Sequence, residues 1–74
     1  MSRAKNVHLT KEGLSEIQTE LDELLKTRRP KAVDRVARAR DFGDLSENNE
    51  YQQARDELAF IDGKIEELQD IISE

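Results

Sequence analysis

Cysteine and tryptophan are absent from this 74-residue chain, and histidine, proline, methionine and tyrosine occur once each. Without cysteine there is neither a disulfide nor a thiolate zinc site, and His8 has no ligand companion of its own kind. Three glycines, one proline and 4% aromatic residues argue against a turn-rich β-sandwich or barrel. No apolar run approaches the roughly 18–20 residues of a membrane span, and no signal-peptide pattern opens the chain. The expectation is therefore a cytoplasmic protein that does not enter a membrane. At 35% hydrophobic and 39% charged residues, one small domain with a thin core is what the composition allows. An enzyme that closes its own water-excluded pocket does not fit that size.

The net charge of −5 hides a segregation along the chain. From Lys26 to Arg40 there are seven bases (Lys26, Arg28, Arg29, Lys31, Arg35, Arg38, Arg40) against Asp34 alone, a net +6. From Asp41 to Glu50 four acids (Asp41, Asp44, Glu47, Glu50) meet no base, a net −4. From Glu57 to Glu74 six acids face only Lys64, a net −5. Charge blocks of this kind meet partners with blocks of their own.

Helical periodicity organises both halves. Tyr51, Ala54, Leu58, Ile61, Ile65, Leu68 and Ile72 recur at alternating steps of 3 and 4, the a/d seam of a left-handed coiled coil. Leu14, Ile17, Leu21 and Leu24 begin a second seam in the same way. Thr10 is a good N-cap for that first helix, and Leu9 can pack on Leu14 as a hydrophobic staple. Pro30 interrupts the pattern, because it lacks an N–H and disfavours helix at Arg29. The stripe resumes one residue out of step at Val33 and Val36, which predicts a kink near residues 28–30 in a broadly continuous arm. Pairing Leu14 with Ile72, Ile17 with Leu68, Leu21 with Ile65 and Leu24 with Ile61 implies one midpoint near residue 43, and Val33 with Ala54 and Val36 with Tyr51 imply the same. Residue 43 is glycine, a natural terminator for the first helix. The fold class is thus all-α, an antiparallel two-helix coiled-coil hairpin with an acidic tip loop. Helix one spans about 10–41, the tip 42–46 and helix two about 47–73. Each arm of about 30 residues gives a rod about 45 Å long at 1.5 Å per residue. One stripe per helix makes a marginal core, so the hairpin reads as a piece of something larger.

Asp44 and Glu47 stand three residues apart where the second helix begins. With Asp44 as N-cap, Glu47 falls at N3, a variant of the capping box that satisfies free N–H groups and complements the helix dipole. The same spacing also brings two ionised oxygens to one face, where they could converge on a hard cation. Magnesium takes about six oxygens, so two carboxylates complete a site only when a partner supplies the rest. A metal held so could activate a water for phosphodiester hydrolysis, as one half of a two-metal site.

Read together, Gly43-Asp44-Leu45-Ser46-Glu47-Asn48-Asn49-Glu50-Tyr51 resembles the tip signature of the bacterial Gre transcript-cleavage factors, in their GreA-like branch. Further matches are Leu9-Thr10 with Gly13, the Arg28-Arg29-Pro30 step, Ala39-Arg40 before the tip and Ala54-Arg55 after it. The resemblance covers nearly the whole chain. It implies an N-terminal coiled-coil domain over residues 1–74 that enters the secondary channel of RNA polymerase. There it would stimulate the polymerase's own cleavage of the 3′ end of a backtracked transcript, having no turnover alone. By position, Asp44 and Glu47 match the family's acidic pair, which shares a magnesium ion with the polymerase and contributes to catalysis. Asn48 and Tyr51 match tip-shaping residues, and Arg40 and Arg55 match positions that contact the nascent RNA. The family's second, FKBP-like C-terminal domain has no counterpart before Glu74, so an excised domain, acting as a monomer, is the expectation.

The remaining signals keep two readings each. Arg28, Lys31, Arg35 and Arg38 recur at 3, 4 and 3 on the face opposite Val33 and Val36, either a solvated outer face or a stripe for phosphates. Arg40 falls near the core side and the tip, where it meets RNA or pairs with Glu47 or Glu50. Tyr51 belongs to both seam and tip. Phe42 and Leu45 either plug the end of the seam or touch the partner. The competing functional classes are a non-catalytic coiled-coil interaction module and a channel-binding inhibitor of the polymerase; the DksA-like form of the latter carries a zinc finger, against which zero cysteines speak.

Overall fold

The computed structural model describes residues 10–43 and 48–73. Helix α1 (Lys11–Glu23), a π-helical turn (Leu24–Arg28) and helix α2 (Arg29–Arg40) run on without a break as one arm, and helix α3 (Asn49–Ser73) returns along it. Both α1 and α2 pack on α3, which makes the hairpin antiparallel. There is no strand among the described residues. The longest dimension is 48 Å, close to the rod length that the pattern predicts.

The start of the first arm is as expected. Thr10 is extended, and its hydroxyl oxygen accepts the Gly13 N–H at 2.9 Å. Its carbonyl accepts the first helical bond, from the Leu14 N–H at 2.9 Å. Leu9, the other half of the expected staple, lies outside the described residues.

At the proline the arm does something more specific than kink. The Arg29 N–H reaches back five residues to the Leu24 carbonyl, the bond of a π-turn. Pro30 cannot donate to a carbonyl, and its ring crowds that of the residue four positions back. One extra residue in the preceding turn moves the ladder aside. That residue also shifts the helical phase. An unbroken α-helix would carry the seam from Leu24 to Arg28, Lys31 and Arg35; here the buried positions are Ala32, Val36 and Ala39. Val36 is therefore buried as expected, but Val33 is not a seam residue: it is 41% exposed. The one-residue offset expected from the sequence is present, with alanines rather than Val33 filling it.

The seam of α3 follows the periodicity. Ala54, Ile61, Ile65 and Leu68 are buried, with Ala54 at 0% and Ile61 at 1% exposure. Tyr51, Leu58 and Ile72 are half-buried in the same stripe. Leu24, Ala32, Ile61, Ile65 and Leu68 form one cluster, with Ile17, Leu21, Leu58 and Ile71 packed against it. Full burial of a side chain such as Ile61 contributes about 1.5–3 kcal/mol, so a handful of them carries most of the core.

Polar links cross the groove beside this seam. The Arg29 guanidinium meets the Asp62 carboxylate at 2.6 Å, and that bond and charge hold the arginine above its already high ordinary pKa. Arg35 reaches Glu57 at 2.6 Å and Glu50 at 3.5 Å. The expected basic stripe on the far face is thereby corrected. After the π-turn Arg35 flanks the seam instead of opposing it, Arg38 pairs with Asp34 along its own helix at 2.6 Å, and Arg28 and Lys31 stay exposed.

Candidate functional site

The free end of the rod is the junction of α2 and α3. Helix α2 closes on Asp41, whose N–H bonds back to carbonyls of the last turn. The next two N–H groups tighten into three-residue bonds: Phe42 to the Ala39 carbonyl at 3.2 Å and Gly43 to the Arg40 carbonyl at 3.3 Å. Gly43 then takes φ +114°, a conformation that a side chain would strain. The glycine expected to end the first helix does so.

On the other side, α3 begins at Asn49 with Asn48 as its N-cap. The Asn48 carbonyl accepts the Gln52 N–H at 3.1 Å, and its side-chain Oδ1 accepts the Tyr51 N–H at 3.0 Å. Asn48 thus caps α3, and the capping box expected of Asp44 with Glu47 lies outside the described residues. The Asn48 Nδ2 donates to the Ala39 carbonyl at 2.6 Å, so one side chain joins both arms. Residue type alone marks asparagine as a cap former, but nothing in the spacing foretells the second bond.

Tyr51, half-buried, packs toward the seam while the exposed Arg55 sits over its ring, 5.8 Å from guanidinium carbon to centroid. That distance suits a cation–π contact. Asn48, Tyr51 and Arg55 are thus gathered at the start of α3. Arg40 is not drawn in with them. The π-turn phase puts Ala39 on the core side and leaves Arg40 exposed, without an ion pair among the described residues. Glu50, one partner considered for it, is held by Arg35. Phe42 is 79% exposed, so it does not plug the end of the seam. Asp44, Leu45 and Glu47 lie outside the described residues, and with them the carboxylate pair expected to bind metal. Among the described residues no group of three or more histidine, cysteine, aspartate or glutamate side chains converges to hold a metal ion. No helix is long and apolar enough to cross a membrane, again among the described residues.

The rod with this tip can be set beside known proteins. Residues 7–74 match the family described as "Transcription elongation factor, N-terminal", which comprises the GreA and GreB N-terminal domains. The chain belongs to the GreA/GreB family. Within it, the chain is similar to "Transcription elongation factor GreA" of Oenococcus oeni, 49% identical over 72 residues that make up 97% of this chain and 44% of that protein. The factor of the same name from Bacillus cereus is 46% identical over 97% of this chain and 46% of its own length. That from Neorickettsia sennetsu is 49% identical over 95% of this chain and 44% of its own length. The chain therefore spans less than half the length of these relatives. No solved structure matches it. The resemblance seen in the tip residues is thus a family membership, GreA-like, that extends along both arms.

Proposed function

We propose that this hairpin is the polymerase-entering arm of a transcription elongation factor acting in the bacterial cytoplasm. A monomer of it would insert its tip into the RNA polymerase secondary channel and stimulate the polymerase's own cleavage of the 3′ end of a backtracked transcript. Membership of the GreA/GreB family together with the nine-residue tip Gly43 to Tyr51, carried at the end of a thin rod, is the observation that supports this reading.

The chain's own chemistry suits an accessory role. Asp44 and Glu47 are hard oxygen donors of the kind magnesium takes, and two of them leave most of its coordination to polymerase groups and water. Held by these residues and the polymerase together, the ion would supply an activated water for phosphodiester hydrolysis. Arg40 and Arg55, exposed beside the tip, would meet the phosphates of the extruded RNA; such contacts weaken steeply with salt and read no sequence. The factor contributes ligands and charge to another enzyme's site and is not itself a catalyst.

The deciding experiment is transcript cleavage by a stalled, backtracked polymerase complex with the 74-residue chain added across a magnesium titration. Asp44→Asn combined with Glu47→Gln is expected to abolish the stimulated cleavage and leave binding to the polymerase nearly intact. Stimulation that survives the double change overturns the role given to the carboxylates.

A further inference from the structure

We propose that Asn48 is a positioning residue for the stimulated cleavage: its side chain latches the start of α3, and with it Tyr51 and Arg55, onto the last turn of α2. This inference rests on the function proposed above but assigns the role from geometry at the described end of α3.

Helix ends leave N–H groups of the first turn and carbonyls of the last turn without helical partners. At this junction one side chain serves both. Oδ1 accepts the Tyr51 N–H of α3's first turn at 3.0 Å, and Nδ2 donates to the Ala39 carbonyl of α2's last turn at 2.6 Å. The orientation of the amide follows from its neighbours, since a backbone N–H requires the oxygen and a carbonyl requires the nitrogen. Ala39 is 3% exposed and Ala54 fully buried, so the two arms meet through small side chains at this end. Neither the nearest ion pair, Arg35 with Glu50 at 3.5 Å, nor these alanines fixes where α3 starts along α2. The latch does. Arg55 is placed by Tyr51, over whose ring it lies, and Tyr51 by the bond from its N–H to Asn48.

Asparagine is needed for both halves of this arrangement, which makes them separable. Aspartate caps a helix as well as asparagine does but, when ionised, has no hydrogen to donate. Asn48→Asp keeps the bond to Tyr51 and sets a carboxylate against the Ala39 carbonyl.

The test compares wild type with Asn48→Asp in two measurements. In thermal unfolding followed by circular dichroism, the variant is expected to melt below wild type at pH 7. In the stalled-complex assay it is expected to lose about tenfold or more of the cleavage rate at saturating factor, the scale on which small misplacements act. The half-saturating concentration should move less than about twofold. A saturating rate equal to wild type, or a loss seen only as a higher half-saturating concentration, overturns the positioning role. A variant that melts no lower than wild type overturns the latch. Wild-type chain that gives no stimulation sinks the proposed function itself and this inference with it, an outcome distinct from an active wild type beside an equally active variant.

Discussion

The two halves of the hairpin are held together by different means. Toward the base, Leu24, Ile61, Ile65 and Leu68 interlock, with Ile17, Leu21, Leu58 and Ile71 around them. Toward the tip the buried seam consists of Val36, Ala39 and Ala54, and polar bonds from Arg35 and Asn48 cross beside it. Apolar burial scales with area, so the base holds most of the stability, while the distal half trades bulk for slenderness. The insertion proposed above would be served by that division, with a thick base behind a thin tip.

The contrast can be broken from either side. The largest effect is expected at the base: Ile61→Ala removes the most buried large side chain and should cost about 2–5 kcal/mol, enough to abolish a cooperative unfolding transition in urea or on heating. At the distal seam the opposite change is the damaging one. Ala54 is fully buried, so Ala54→Leu should cost about 1–3 kcal/mol by forcing the arms apart, measured by the same transitions. A leucine that fits there without loss would mean that the distal half has room to spare. Smallest is the Arg35–Glu57 pair, half-exposed at 2.6 Å. A double-mutant cycle should return about 0.2–1 kcal/mol, shrinking as salt rises. A larger, salt-insensitive coupling would show that the polar links carry the distal half outright.

How much of this was legible beforehand varies along the chain. The α3 seam could be read because its 3–4 rhythm is unbroken and the helix contains no proline. Thr10 and Gly43 could be read because capping and positive φ are local demands of residue type. The phase of α2 could not be read fully. Pro30 announces a disturbance, but whether the arm answers with a bend or a π-turn depends on which side chains then face α3, a tertiary choice between Val33 and the pair Ala32 and Ala39. Placing Arg40 on the core side followed from the same misjudged phase. That Asn48 can cap a helix is written in its residue type, but its bond to Ala39 joins the two arms, which no spacing along one of them encodes. The carboxylate pair was visible in the sequence as chemistry, and its support is the family's tip signature.

The π-turn has a consequence for how this arm tolerates change. Its surplus residue works like the spacer in a camshaft, setting the rotation of everything beyond it. Keeping every residue between Leu24 and Arg28 but winding them as a regular helix would swing the distal arm by about 100°, the angle of one α-helical residue. The groove would then receive long cations such as Lys31 and Arg35 in place of Ala32 and Val36. Removing one residue between Leu24 and Arg28, by contrast, leaves Ala32, Val36 and Ala39 seven, eleven and fourteen positions after Leu24, the seam of a regular helix, so a one-residue deletion here keeps the distal phase.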